Sequence, residues 1–314
     1  MGRLVKKQYA LLKRLRASHI KEEDIRKDIH QIESGVRGEN RLLQKLKELR
    51  LPGSYRIFSD VGLQSGEWKV QIDCLIVTDR CCIVLESKNI SDDLYFNEDA
   101  DEFYKVDRNG NEIAYRNPYF QLLKHIRFMK EFFRLLNLPQ MNVTGAVVLT
   151  AKSCRIRQKP AHYPIFKLES IIEKIIHMYE LPSSFQLSSE QLDFVEKMIW
   201  KKQSAFIHRP LCESYHISPN ELIRGVECPN CSTLGMKRTG KTWTCIKCDQ
   251  RSRDAHKNAV QEYFWLVSKE IRNKDFRVFC QVDSVYAASR MLNSMDLQVH
   301  RAGPKTFYTQ KKDR

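Results

Sequence analysis

No stretch of this chain approaches the roughly 18 consecutive apolar residues that a membrane-spanning helix needs, so no such helix and no membrane partner is expected. Acid is missing from the beginning: the first sixteen residues hold Arg3, Lys6, Lys7, Lys13, Arg14 and Arg16, with no Asp or Glu. No apolar core follows that basic stretch, which argues against a secretory signal. Acid is also short over the whole chain. There are 38 Asp and Glu against 53 Lys and Arg, and the formal net charge of +15 favours a polyanionic partner. A disulfide pattern is absent too. Of ten cysteines, four fall in CxxC pairs and Cys81-Cys82 lie in an apolar run, the usage of a cytoplasmic protein with reduced or metal-bound thiols. What remains is ordinary for a globular chain: 314 residues suffice for two or three domains, and 42% are hydrophobic, enough for a proper core.

The most informative stretch is Val70 to Asn89, VQIDCLIVTDRCCIVLESKN. Two apolar, β-branched segments flank Asp79-Arg80, a connection so short that it predicts a hairpin. With those two residues as the loop, Thr78 pairs with Cys81, Asp73 falls opposite Glu86, and Gln71 falls opposite Lys88. Alternation then puts all four of the latter on one face. Carboxylates facing each other about 5 Å apart at Cβ repel. A divalent cation such as Mg²⁺ between them removes that penalty, because it takes one or two protein carboxylates and completes its shell with water and phosphate oxygen. A lysine beside such a pair can assist an attacking water, and the cluster suits phosphodiester hydrolysis. The competing account makes Glu86 and Lys88 a solvated strand end and Asp73 a turn residue.

Upstream, Gly35 to Gly38 is expected to break the chain before a helix starting near Glu39, with Leu42, Leu43, Leu46 and Leu49 as its apolar stripe. Glu39 sits on the inward side of that stripe. A carboxylate there is costly unless it is paired or meets a metal or water; favourable interaction with the helix dipole at a first turn is the alternative explanation. Downstream, Asn117-Pro118 opens a helix running to about Asn137, before Pro139, with Gln121 and His125 one turn apart and no chemistry assigned to His125. Tyr55 to Val61 predicts a strand, residues 62–68 a loop, Tyr95 to Tyr104 short strands extending the same sheet, Val143 to Ala151 a buried strand, and 162–168 a further strand before a helix from Leu168.

Asp73, then Glu86-Ser87-Lys88 after about a dozen residues, together with Gly35–Glu39 (G-x-x-G-E) and Asn117–Gln121 (N-P-x-x-Q), resembles the NERD (nuclease-related) domain of the PD-(D/E)xK nuclease superfamily. The likeness covers residues 34–180. It implies an α/β fold with a restriction-endonuclease-like mixed sheet flanked by helices. It also implies a site in which Asp73, Glu86 and the Ser87 carbonyl hold Mg²⁺ or Mn²⁺, Lys88 acts on the attacking water, Glu39 supports either role, and Gln121 faces the cleft.

A boundary follows at Leu181 to Ser184, and a helix over Ser188 to Trp200 begins with a candidate capping box. Cys228, Cys231, Cys245 and Cys248 form two CxxC knuckles thirteen residues apart, a spacing that closes a tetrahedral Zn²⁺ site in a module too small for a core of its own. This looks like a zinc ribbon. Around it Lys237, Arg238, Lys241, Lys247, Arg251 and Arg253 surround Trp243, the mix of cations and aromatic that binds nucleic acid; a solvated basic surface is the plainer alternative. Three helical stretches from Ala255, then a two-stranded wing turning at Gly303-Pro304, resemble a winged helix-turn-helix.

The expected organisation is a basic helical arm (1–33), the nuclease-like domain (34–180), a helical linker (181–225), the ribbon (226–254) and a mostly helical, winged-helix-like module (255–314). The arm is expected to pack on the nuclease core or to touch nucleic-acid backbone. The function expected is that of a divalent-metal-dependent nuclease acting on DNA, aided by the ribbon and C-terminal module. The alternatives are an RNA-processing enzyme and a non-catalytic DNA-binding or regulatory protein on the same scaffold.

Overall fold

The computed structural model describes residues 3–311 apart from 139, 184, 204–208, 302 and 304. The expected features at Pro139, Ser184 and Pro304 lie outside the described residues. The chain divides into two units, Met1–Ile32 with Ile207–Arg314, and Glu33–Phe206.

It opens with α1 (Arg3–Arg14) and α2 (Glu22–Leu46). The expected break at Gly35–Gly38 does not occur, because α2 runs through both glycines. Gly38 has a packing reason instead: a Cβ there would meet Thr150 Oγ1 at 2.6 Å and Asn89 Cβ at 2.8 Å. A helical glycine costs about 1 kcal/mol relative to alanine, and here it admits the ends of two strands against the helix backbone.

In Glu33–Phe206 the helix is followed by β1 (Tyr55–Ser65), β2 (Trp68–Thr78), β3 (Cys81–Lys88), β4 (Asp92–Asn97), β5 (Glu102–Val106), β6 (Glu112–Tyr115) and α3 (Pro118–Leu135). Then come β7 (Asn142–Leu149), β8 (Cys154–Gln158), β9 (Ile165–Lys167), α4 (Ile171–Glu180) and α5 (Ser189–Lys201). The main sheet has the order β1-β2-β3-β7-β9, antiparallel through β3 and parallel from β3 to β9. One face packs on α3 and α5 through Val84, Leu122, Phe132 and Val195; the other packs on the end of α2 and on α4 through Leu46, Ile83, Val148 and Ile175. A mixed sheet covered by helices on both faces is the expected restriction-endonuclease-like arrangement. Two expectations need correction. The residues from 62 to 65 continue β1 and do not form a loop, and the strands after Asn89 build a separate sheet, β6-β5-β4-β8. The expected capping box at α5 is present, Ser188 accepting from Gln191 N–H while the Gln191 side chain accepts from Ser188 N–H.

In the other unit, α6 (Leu211–Tyr215) precedes a small sheet of β10 (Lys237–Thr239), β11 (Thr242–Thr244) and β12 (Arg251–Ser252). Then follow α7 (Ala255–Leu266), β13 (Glu270–Arg272), α8 (Asn273–Cys280), α9 (Val285–Asn293), β14 (Leu297–His300) and β15 (Phe307–Gln310), with sheet order β13-β15-β14. That sequence of helix, strand, two helices and two strands is winged-helix order, with a third strand beyond the two expected. The first 32 residues share this unit's core: Val5, Leu11, Leu15, Ile25 and Ile29 are buried with Trp243 and Phe276. Arg14 is fully buried, its Nε donating to Glu262 Oε2 at 2.7 Å and its guanidinium lying over Phe279. No helix among the described residues is long and apolar enough to cross a membrane.

Candidate active site

The hairpin closes as its sequence predicts. Thr78 Oγ1 accepts from the N–H groups of Arg80 and Cys81, and pairing inward matches Val77 with Cys82 through Cys74 with Leu85. Continued by one step, this register sets Asp73 opposite Glu86. The ladder ends there, and Asp73 Oδ2 accepts instead from the Ser87 N–H at 2.8 Å. Gln71 does not meet Lys88: its amide donates to Asp60 Oδ1 at 2.5 Å. Asp60 has a left-handed backbone, φ 52°, in mid-strand beside the point where β2 parts from β3. A non-glycine residue held there is strained.

β3 delivers Glu86 and Lys88. Glu86 is fully buried and its Oε1 accepts from Lys88 Nζ at 2.7 Å. Lys88 also donates to Gln121 Oε1, at 3.2 Å, so α3 and β3 meet at this ammonium. The same helix brings a residue that the sequence did not single out. His125 Nδ1 stands 3.3 Å from Glu86 Oε2, near enough for an ion pair when protonated but off hydrogen-bond geometry, and neither atom has another hydrogen-bond partner. Its one-turn offset from Gln121 was the available signal, since i and i+4 share a helix face.

Glu39 comes from α2, well past the first turn at Glu22–Asp24, so the helix dipole does not account for it. Its position is fixed by contacts flanking it: Arg41 Nη1 donates to Asn89 Oδ1 and to the Thr150 carbonyl, both at 3.1 Å, and Asn89 Nδ2 donates to the Ser34 carbonyl. Burial, then Asp60, then Glu86 push the Glu39 carboxyl up from its ordinary value, against the pull of Lys88. Asp73 shows the same effect more strongly. Burial and the charge of Glu86 raise it to about 7, outweighing Lys88 and the Ser87 N–H. The fold therefore gathers Glu39, Asp73, Glu86, Lys88 and Gln121, adds His125 and Asp60 at the margin, and leaves a surplus of negative charge.

The donor set suits a hard divalent cation. It is made of oxygen, Glu39 and Asp73 are both raised by burial and by the charge of Glu86, and Glu86 Oε2 lacks a hydrogen bond. A cation supplies what the protein's own groups do not, a charge that favours the ionised form of Asp73 beside Glu86.

The second candidate metal centre is built from the ribbon's knuckles. The four sulfurs of Cys228, Cys231, Cys245 and Cys248 lie within 4.8 Å of one another. The gaps are 3.6 Å from Cys228 to Cys248 and 3.5 Å from Cys231 to Cys245, close to the edge of about 3.8 Å in a tetrahedron with Zn–S bonds of about 2.3 Å. Hydrogen bonding at Thr233 pulls the Cys231 thiol down to about 6, toward the thiolate that a metal takes. The cluster fits a structural zinc ribbon.

Of the ribbon residues expected to face nucleic acid, Lys237, Lys241, Lys247 and Arg251 are exposed and Arg238 is half-buried. Trp243 requires correction. It is fully buried, its Nε1 donating to His256 Nδ1 at 3.3 Å, so it is a core residue and no platform for a base.

Residues 34–150 match the family model described as NERD, nuclease-related domain. The matched segment contains Glu39, Asp73, Glu86, Lys88 and Gln121 and stops short of the four cysteines, so the chain carries a nuclease-related domain with a separate four-cysteine cluster. No curated protein and no solved structure matches the chain.

Proposed function

We propose that the protein is a divalent-metal-dependent nuclease that hydrolyses phosphodiester bonds in DNA. The observation carrying this reading is the convergence of Asp73, Glu86 and Lys88 at the point where β2 and β3 separate, with Asp73 raised to about 7 by burial and by Glu86. Asp73, Glu86 and the Ser87 carbonyl would hold Mg²⁺ or Mn²⁺. When bound, such an ion polarises the scissile phosphate and lowers the pKa of a coordinated water.

The remaining steps belong to the chain's own groups. Lys88 has three donors; Glu86 and Gln121 take two, which fixes the ammonium and leaves the third for an attacking water or a phosphate oxygen. Gln121 holds Lys88 and offers its amide nitrogen to substrate. Glu39, with its carboxyl pushed up, is suited to accept a proton from water and keep it. His125 sets its Nδ1 3.3 Å from Glu86 Oε2 and would pair with that carboxylate when protonated. The four cysteines would hold Zn²⁺ and shape the ribbon, whose exposed cations, with the winged-helix module, would bind nucleic-acid backbone. Ten free cysteines suit a reducing, cytoplasmic setting.

The test is cleavage of labelled single- and double-stranded DNA, and of RNA, in Mg²⁺, Mn²⁺ or EDTA, with Asp73→Ala and Lys88→Ala alongside. Metal-dependent cutting of DNA that disappears in both variants is expected, with binding retained. Tight binding without cutting under any metal would leave a DNA-binding protein on a nuclease scaffold, and preference for RNA would reassign the substrate.

A further inference from the structure

Arg238 on β10 and Arg290 on α9 belong to different modules of the same unit, yet the Arg238 side chain reaches α9 at Met291, next in sequence to Arg290. The Arg238 guanidinium lies over the Trp243 ring, 5.6 Å from its centroid, and its Nη1 contacts Sδ of Met291 on α9. Trp243 is itself locked by His256 on α7. The stack thus brings Arg238 to α9 at Met291, the residue next in sequence to Arg290, which is exposed. Burial first, and the charge of Arg290 second, pull Arg238 below its ordinary value; no carboxylate enters that balance. By contrast, Arg14 of this unit has Glu262 and Arg209 has Glu213.

Two guanidiniums whose charges act on each other repel, and an anion that both can reach reverses the sign. The planar fork of arginine matches phosphate oxygens two at a time. Lys237 and Lys241 of the ribbon are also exposed, and the chain's net charge is +15, so the anion that fits is a repeated one. We propose that Arg238 and Arg290 form a composite clamp for one backbone phosphate of a nucleic acid, joining the ribbon to the winged-helix module as a single binding surface. The clamp rests on the reading that this unit binds nucleic acid, and it adds Arg290 to the residues responsible. Because a phosphodiester occurs in DNA and RNA alike, sequence plays no part in this recognition.

The experiment measures binding of the zinc-loaded full chain to a short DNA duplex and to single-stranded RNA over a salt series, without added Mg²⁺. The variants are Arg290→Gln, Arg290→Lys, Arg238→Gln and the double glutamine variant. Each glutamine variant is expected to bind about tenfold more weakly, and the slope of log affinity against log salt to fall by about one for the phosphate that is no longer neutralised. The double variant should bind little worse than either single one, because both arginines hold one phosphate. Arg290→Lys should keep the slope and part of the affinity. Zinc content and melting temperature separate misfolding from weakened phosphate binding, and Arg290, exposed and unpaired among the described residues, gives the cleaner variant. Wild-type affinity and slope in Arg290→Gln would overturn the clamp alone. Absence of binding to DNA and RNA by the wild type would overturn both the clamp and the wider reading, and the nucleic acid bound more tightly identifies the source of the phosphate.

Discussion

Asp73 is held in a conflict that a cation would settle, and the conflict is measurable without any substrate. In the folded chain its carboxyl is raised from 3.8 to about 7, first by burial and then by Glu86. A group whose folded value lies above its unfolded one favours the fold fully below the unfolded value, and that contribution is lost as pH rises through the folded value. Metal-free protein should therefore lose stability between about pH 4 and pH 7. Asp73→Asn cannot ionise and should lack this loss, melting a few degrees above the wild type at pH 8 and level with it near pH 4. Mg²⁺ should raise the wild-type melting temperature at pH 8 and leave the variant almost unmoved. Parallel melting curves for the two proteins across this range in EDTA would show that no such conflict exists. Much of this was legible in the sequence, because a two-residue loop and a period of two fix which side chains face each other. The burial of Trp243 and the approach of His125 to Glu86 were not, since both depend on partners supplied by distant segments, His256 for one and the β3 strand for the other.

At the scale of elements, glycine was read as punctuation where it is packing. Gly38 sits inside α2 so that Thr150 and Asn89 can approach its backbone, and Arg41 and Asn89 then tie the Glu39 stretch of α2 to the segment after β3. Gly145 in β7 is the same case: a Cβ there would strike the Val84 carbonyl and come within 2.8 Å of Leu122 Cδ1 on α3. Neither glycine has positive φ, so only neighbours demand it, and a single sequence does not display neighbours. Gly145→Ala is expected to destabilise the protein by about 1–3 kcal/mol, the usual cost of overpacking, and to push α3 away from β3. Since α3 carries Gln121 and His125, cleavage should fall with stability. A lower denaturant midpoint at unchanged slope, with reduced turnover measured well below that midpoint, checks both; an unchanged midpoint would mean that the strand yields freely. Short strands such as β8, CRIRQ, and β13, EIR, escaped the sequence reading because charged residues interrupt their apolar pattern and their partners β4 and β15 lie far along the chain.

For the molecule as a whole, the division into two units follows from where apolar side chains find cover. Residues 33–206 close two cores on a covered sheet of five strands, with no cysteine cluster among the described residues. The other unit has a core in which Cys228 and Cys245 are buried members beside Trp243, so its packing and the candidate metal site are one system. Structural zinc contributes to folding directly, because the unfolded chain has no preformed site and four thiolates brought together without a cation repel. Removing zinc should therefore strike one unit first. With a zinc-selective chelator in excess Mg²⁺, two melting transitions are expected where the loaded protein shows later or merged ones, and the earlier should move down by ten degrees or more, given that such sites contribute about 10 kcal/mol or more at neutral pH. Cys231→Ser should reproduce that shift and lower the zinc content to none. Asp73→Asn should not affect the earlier transition, since its carboxylate lies in the other unit. Nucleic-acid affinity should fall once the metal is removed, while cleavage of substrate at saturating concentration persists, because Asp73, Glu86, Lys88 and Gln121 sit on strands and a helix of the unit that lacks the four cysteines. A chelator that abolished cleavage at every substrate concentration, with the later transition intact, would show instead that the four-cysteine unit supplies part of the catalytic site.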